Sequence, residues 1–544
     1  MTRERGEGTP MSDSDQAENT HRVGRRAFLK ASAAGAITVA ASPMLMGARM
    51  ARPDARAELL AATPKRGGTL RVGIVGGSSA DSLNAENAVY DADICRVIQI
   101  NETLLSYSPQ YEVQPALLES LEPSKDARTW TLHLRRGIEF SNGKPFTAAD
   151  VLYTLQYVLN PKNLAAGATR LAALDASGIK ALDAYTVRLP FKAPYAPLPE
   201  VLAEPGTSAI RVIPAGWNPH LPIGTGPFKF QSFTPGVSSV FVRNDNYWRT
   251  GEPYLDELII SDLTDDTARV NALLSGQVDA IEGVPNSQIA VVRGRSDLQV
   301  IDSKTGSWNP ITMRTDIAPF NDVRVRQAFR LLASRPKLVD QVLSGQGAVA
   351  NDVFGRYDPA YDHSLPQRVQ DVAQAKSLLK KAGREHLSVQ IVTSPVNIGL
   401  VQGAEAFVSQ LRASGIKISL LQVDPTPFFS RYFLTSALSQ SYWASRIYLL
   451  QAADSMMPKS PYNETHWENA RWLKYVQEAY ATTNGSKQTE LIHAAQKIEW
   501  EEGGYINWGW YNIVDAAKKT VKGLVPDKSG FGLTTFGFRG VWLQ

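Results

Sequence analysis

Three times along this chain the same order recurs: an amphipathic helix, a glycine that ends it, and a short apolar strand. In the first, Thr264-Asp265-Asp266 offers helix N-caps, Val270, Leu273 and Leu274 form an apolar stripe, Gly276 closes the helix, and QVDAIEG follows as a strand. In the second, VAQAKSLLKKAG runs to Gly383 and leads into LSVQIVTS. In the third, GAEAFVSQLRASG places Phe407, Val408 and Leu411 on one face, stops at Gly415, and gives way to IKISLLQVD. A chain that keeps this order has to lay helices against sheets, so the expected class is α/β.

A different pattern interrupts it. TWTLHLRRGIEF alternates Trp130, Leu132 and Leu134 as a half-buried strand, Asn142-Gly143 makes a tight turn, and Thr147 to Asp150 begins a helix in capping-box fashion. This reads as an α+β insert. At 544 residues the chain exceeds what one core can organise. Gly and Pro are spread through its connections without a low-complexity linker, so lobes joined by crossing segments are expected rather than a string of separate domains.

The N-terminus stands apart. GRRAFLK leads into ASAAGAITVAASPMLMGA, a weakly apolar run that is short and Ala-rich for a membrane span and has the form of a twin-arginine export signal, with Arg25 and Arg26 in its charged region. Small-residue cleavage sites place the expected mature start between residues 49 and 58, and no Cys lies there to take a lipid. The first 57 residues hold 9 basic against 6 acidic side chains, which leaves the remaining body within one charge of neutral. Nucleic-acid binding, which needs a concentrated basic face, is set aside. Cys95, the single cysteine, sits in the apolar ICRVIQI and reads as a buried small side chain.

Catalytic and metal motifs are poorly supplied. No GxSxG, HExxH or Walker-type loop occurs, and Ser377 to Lys380, which spells SxxK, falls inside an amphipathic helix. Asp262, Asp265 and Asp266 are more simply helix caps than cation ligands. The seven histidines include no close pair, so neither an enzyme nor a protein-only metal site is expected, and no cofactor is.

Several stretches, in one order, resemble the extracytoplasmic solute-binding proteins of ABC importers, in the family that takes dipeptides, oligopeptides and nickel complexes. They are RGGTLRVGI, TWTLHLRRGIEFSNGKPFTAADVLYTL, IGTGPFKF with NDNYWRTGEPYLDELII, ARVNALLSGQVDAI and PFNDVRVRQAF, and the similarity spans roughly residues 65 to 525. Read as local chemistry these motifs are scaffold. Gly224-Thr-Gly226-Pro227 is a turn entering a strand, Tyr247 and Trp248 form a buried aromatic pair, and Arg324 and Arg326 are expected exposed or ion-paired on a helix whose Val325, Phe329 and Leu332 face inward.

The resemblance implies a two-lobed periplasmic-binding-protein clamshell, type II-like, with an additional α+β domain. It would be a monomer outside the cytoplasm that closes on a solute and presents it to a membrane permease. On that basis residues 58–108, 223–306 and 504–544 are expected in lobe I, 109–222 in the additional domain and 307–503 in lobe II. A peptide-like ligand leads. A non-peptide anion, chelated nickel, or a peptide-binding chaperone or sensor without transport remain alternatives.

Candidate ligand residues lie late in the chain. Seven of the eleven tryptophans follow residue 440, and aromatic walls suit a pocket for mixed polar and apolar solutes. Trp508, Trp510 and Tyr511 in GGYINWGWYN are expected along a strand with one face toward the pocket. In SYWASRIY, Trp443 aligns with the tryptophan of a Trp-x-x-Asp pattern that in peptide-binding members supplies an aspartate for the ligand's ammonium, but that position is Arg446. An arginine there either grips an anion or is neutralised by a protein carboxylate. Glu464, in SPYNETHWENARW, is expected either to replace the aspartate or to pair with Arg446, with Asn463 or Thr465 capping the following helix.

Overall fold

Helix, glycine and strand follow one another where the sequence places them. The computed structural model describes residues 63–458 and 460–544; the export signal expected in residues 1–57 lies outside them. Strand β1 (Thr69–Ile74) leads to helix α1 (Asp91–Ile100), then to β2 (Leu118–Pro123), β3 (Thr129–Leu134), α2 (Ala148–Leu159), β4 (Lys180–Asp183) and β5 (Thr186–Pro190). The chain continues through β6 (Phe228–Thr234), β7 (Ser238–Arg243), β8 (Glu257–Asp262), α3 (Asp266–Leu274), β9 (Ala280–Ile281) and the long β10 (Leu298–Trp308). Next come β11 (Ile311–Met313), α4 (Val323–Leu332), α5 (Arg335–Leu343), β12 (Gly347–Val349), α6 (Val372–Lys381), β13 (Ser388–Thr393), α7 (Leu400–Ala413), β14 (Lys417–Gln422) and β15 (Leu438–Gln440). Helices α8 (Tyr448–Ser455), α9 (Ala470–Tyr480) and α10 (Gly485–Glu502) precede β16 (Tyr505–Ile506) and β17 (Gly509–Lys518).

The largest sheet runs β10-β17-β9-β1-β8-β7-β6, with β12 also on β17, and its central β1 pairs in parallel with both β8 and β9. Strands β2-β3-β5-β4 form a separate antiparallel sheet, in which Trp130, Leu132 and Leu134 point to a core shared with α2. In the later part, β13 and β14 pair in parallel, and β15-β11-β16 form a small antiparallel sheet. Gly276, Gly383 and Gly415 all take positive φ just past their helices, where an L side chain is disfavoured.

Packing explains several motifs. A Cβ on Gly224 would lie 1.9 Å from the Ile100 carbonyl oxygen, and one on Gly226 would lie 2.4 Å from that of Gln99, so both glycines let a turn press against the end of α1. Tyr247 Oη and Trp248 Nε1 donate to the two oxygens of Glu102, each at 2.8 Å, which accounts for the aromatic pair. Cys95 is fully buried.

Two expectations need correction. Arg324 is exposed and paired with Asp322, but Arg326 is buried, donating to the carbonyls of Phe320, Glu502 and Gly503. All three of its guanidinium nitrogens donate to backbone carbonyls, a partnership that no local pattern announces. The helix after Glu464 is capped neither by Asn463 nor by Thr465: Asn469 Oδ1 accepts from the amides of Arg471 and Trp472.

The late tryptophans mostly build core. Trp443, Trp467, Trp472 and Trp510 join Trp308 in one apolar cluster, Trp500 packs against it, and Trp508 belongs to the core around β11, α4 and α7.

Candidate functional site

Strands β10 and β17 pair along their length, from Leu298 opposite Lys518 to Trp308 opposite Trp510, and a bulge at residues 305–306 redirects β10 near its end. Here the chain crosses between the large sheet and the small one, β10 running on into β11 and β16 into β17 across short breaks. Beyond the bulge, the Trp308 and Trp443 backbones exchange N–H···O bonds of 3.0 Å, and Ser445 Oγ accepts from Gly306 N at 2.7 Å. Tyr111 Oη donates to the Ser445 carbonyl at 2.8 Å. These contacts place the SYWASRIY segment at the crossing.

Arg446 has a protein partner. Its Nη1 lies 2.7 Å from Asp454 Oδ2, and its guanidinium carbon sits 5.1 Å from the centroid of the Trp443 ring. The same Asp454 oxygen is 2.8 Å from Arg170 Nη2, so two guanidinium groups share one carboxylate. Glu464, expected as a partner of Arg446 or of a ligand amine, instead accepts from Trp443 Nε1 at 3.1 Å and from Tyr505 Oη in a short hydrogen bond. Burial pushes its pKa up to about 7, against the opposing effect of these hydrogen bonds. It fixes the Trp443 indole from behind.

Trp508 and Trp510 are 1 % and 3 % exposed. The strand expected to carry both is interrupted between Ile506 and Gly509, so the two rings go to different cores instead of sharing a pocket face. Tyr511 is half-buried, and its Oη accepts from Asn397 Nδ2 at 3.3 Å. Asn397 also donates to Asn309 Oδ1 at 2.9 Å, beside the end of β10.

The residues with open apolar surface here are tyrosines that the sequence reading passed over. Tyr90 is 63 %, Tyr442 41 % and Tyr462 48 % exposed. Burial of the Tyr442 phenol raises its pKa, and the nearby Asp91, Tyr90 and Tyr462 add to the effect. Tyr462 also meets the Trp443 ring edge-on, with centroids 6.0 Å apart. Tyr90 comes from the start of α1, Tyr511 from β17 itself, and Tyr442 and Tyr462 from the segments after β15 and α8. Tyr442 stands in the singled-out octapeptide, next to the tryptophan that drew attention. Tyr90 carries no motif.

Facing these tyrosines is a pair of carboxyl groups. Asp91, the first residue of α1, lies close enough to Glu282 for the two carboxyls to interact, and Glu282 accepts from Val75 N at 3.0 Å. Burial raises the Asp91 pKa to about 6 and that of Glu282 well above the carboxylate range, with the charges of Asp91 and Asp515 adding to the latter. Two enclosed carboxyls close together resist ionising at the same time, so the pair holds less than its full negative charge. The influence of Asp91 reaches both Tyr442 and Tyr511. Exposed tyrosine faces and a pair of enclosed acids form a surface suited to a cationic or zwitterionic solute.

No group of three or more His, Cys, Asp or Glu side chains arranged to hold a metal occurs among the described residues. The acidic cluster near α3 resolves into protein contacts: Asp265 caps the helix, Asp266 pairs with Arg269, and Asp262 with Arg96.

The model of bacterial extracellular solute-binding proteins, family 5 Middle, matches residues 112–470. The glutathione-binding protein GsiB of Escherichia coli O6:K15:H31 (strain 536 / UPEC) is 26 % identical over 466 residues, covering 81 % of this chain and 88 % of that protein. Di/tripeptide-binding protein 1 of Pseudomonas aeruginosa (strain UCBPP-PA14) is 26 % identical over 480 residues, covering 80 % and 88 %. Among solved structures, the ABC transporter-associated periplasmic binding protein DppA of Helicobacter pylori, in complex with the peptide STSA, superposes with a TM-score of 0.73 at 20 % identity, covering 88 % of this chain and 98 % of that one. The mixed α/β architecture is thus that of the periplasmic binding proteins. By sequence and by fold, this chain belongs to family 5 of the bacterial extracellular solute-binding proteins, the receptors of ABC importers.

Proposed function

We propose that this protein binds a peptide-like solute at the crossing of β10 and β17 and delivers it to the permease of an ABC importer. The observation that carries the reading is the pairing of exposed tyrosines with the Asp91–Glu282 acid pair across the crossing strands. The tyrosines cover side chains of varied shape, and the acid pair takes the ligand's ammonium in place of the aspartate absent at Arg446. The names of GsiB and of di/tripeptide-binding protein 1 support a short peptide.

In this reading lobe I is built on the large sheet, residues 109–222 are the additional domain, and lobe II carries β11 to β15 together with β16, which pairs with β11 although residues 504–544 were expected in lobe I. The crossing strands are the hinge, and contacts from both lobes favour the closed form. Trp443 braces Tyr462 and Tyr511 lies at the floor, while Trp508, Trp510 and Glu464 support the site from within. The protein works as a monomeric receptor without catalysis, is exported by the twin-arginine route and carries no lipid. Arg446, through its shared carboxylate, favours as second reading a ligand with an anion at that end.

A thermal-shift panel of short peptides, anionic non-peptides and chelated nickel tests the proposal. A ligand at a hundred times its Kd stabilises the fold by about 2.7 kcal/mol. Di- or tripeptides are expected to raise the melting temperature. A response confined to anionic non-peptides moves the assignment to the second reading.

A further inference from the structure

A second place in the molecule is built for a ligand. Between the four-stranded-sheet insert and helices α8 and α9 lies a groove of about 640 Å³. Ala173, Pro194 and Tyr195 form one wall, and Met457, Pro461 and Tyr480 the other. The walls meet where the two tyrosine rings approach to 5.9 Å and the Ala196 amide donates to the Tyr480 carbonyl.

The buried donors of this groove are committed to the protein, with one exception. Tyr195 Oη donates to the Arg170 carbonyl at 2.6 Å, and Tyr480 Oη to that of Leu449 at 2.8 Å. Ser460 Oγ donates to the Ala453 carbonyl at 2.6 Å. Arg170 is 4 % exposed and lines the groove, yet its Nε–H has no acceptor among the described residues. Its Nη1 and Nη2 go to the Leu450 carbonyl and to Asp454. Asp454 also lies 2.7 Å from Arg446 Nη1 as an ion pair, but neither that nitrogen nor Arg446 Nε makes a hydrogen bond among the described residues. Glu204 is near enough to influence Arg170 but forms no ion pair with it. A buried guanidinium with a free donor, beside a second one on the same carboxylate, lacks one anionic acceptor.

We infer that this groove binds a small organic carboxylate with an apolar body, such as a medium-chain alkyl acid, whose carboxylate accepts from Arg170 and whose chain lies between the tyrosine-lined walls. A planar carboxylate suits a guanidinium edge, and the alanine, proline and tyrosine walls exclude a bare inorganic anion. The groove adjoins the tyrosine site, because the Tyr462 amide donates to the Asp454 carbonyl at 3.2 Å, but Tyr90, Tyr442 and Tyr511 do not line it.

Calorimetric titration of the purified protein with octanoate tests this, with octanol and inorganic phosphate as comparison ligands. One saturable octanoate site is expected, at least tenfold tighter than either comparison ligand. Arg170→Gln should weaken it at least tenfold. Ala453→Phe, which fills the groove and leaves the arginines in place, should do the same without changing peptide binding, and it keeps the test open if Arg170→Gln fails to fold. Tyr442→Ala, in the cleft, should leave octanoate binding unaltered. Octanol or phosphate binding as tightly as octanoate overturns the inference, as does the absence of a saturable site. So does octanoate affinity that survives Ala453→Phe and disappears in Tyr442→Ala.

Discussion

Glu464 and Asp454 are carboxylates of opposite character. Glu464 is enclosed by Trp443 and Tyr505 and has no cation beside it, so its pKa is pushed up to about 7. A carboxyl whose folded pKa exceeds its unfolded value of 4.5 favours folding most at low pH, and that contribution is lost as pH rises from 4.5 through 7. Glu464→Gln should therefore match the wild type near pH 5 and exceed its stability at pH 8 by on the order of 3 kcal/mol, read by denaturant unfolding at the two pH values. A variant weaker than wild type at pH 8 would mean that the ionised form is the one the fold holds. Asp454 is different, because it neutralises both Arg170 and Arg446. Asp454→Asn leaves two enclosed guanidinium groups uncompensated and should cost about 3–5 kcal/mol. Arg446→Met keeps the Arg170 pair and should cost about 1 kcal/mol. Equal losses from the two variants would argue against a shared carboxylate. The arginine in SYWASRIY was legible as an anomaly, and its partner was not: Asp454 lies near the far end of α8, and Arg170 is remote in sequence.

Strands and helices were most legible where a pattern is local. The alternation of Trp130, Leu132 and Leu134 is that of β3, and the Thr147 amide donates to Asp150 Oδ2 at 2.9 Å at the start of α2. The three glycine-terminated helices end where expected because positive φ is a property of single residues. Gly224 and Gly226 were read as a turn, and their stronger constraint is the closeness of the α1 carbonyls. Gly224→Ala should cost about 3 kcal/mol or more, since the intruding carbon meets rigid backbone, and a circular-dichroism melt near wild type would show that the turn can move. The stretch GGYINWGWYN misled because alternation is informative only in a continuous strand. A break after Ile506 sends Trp508 and Trp510 to separate cores, and only contacts distant in sequence decide that.

Across the whole chain, the order of motifs carried family and architecture, while the candidate site is assembled from segments spread over residues 90 to 511: Tyr90 and Asp91 near the start, Glu282 in the middle, Tyr442, Tyr462 and Tyr511 near the end. Tryptophan abundance marked the neighbourhood of the site but reported chiefly on core. The solvent-facing tyrosines became visible only once burial was known. Charge follows the same geometry. Burial raises the Asp91 pKa to about 6, so an ammonium-bearing ligand should bind more weakly as pH falls through about 6.

Calorimetry with one tripeptide and its N-acetyl derivative, at pH 7.5 and pH 5, on wild-type protein and Asp91→Asn, tests the ammonium–acid pairing most directly. The free-amine tripeptide is expected to bind the wild type at pH 7.5 at least tenfold more tightly than the acetylated one, and to lose most of that advantage at pH 5 and in Asp91→Asn. Equal affinity for the two peptides under all conditions would contradict the assignment of Asp91 and Glu282 as the amine anchor, and no binding of either would contradict the peptide reading itself.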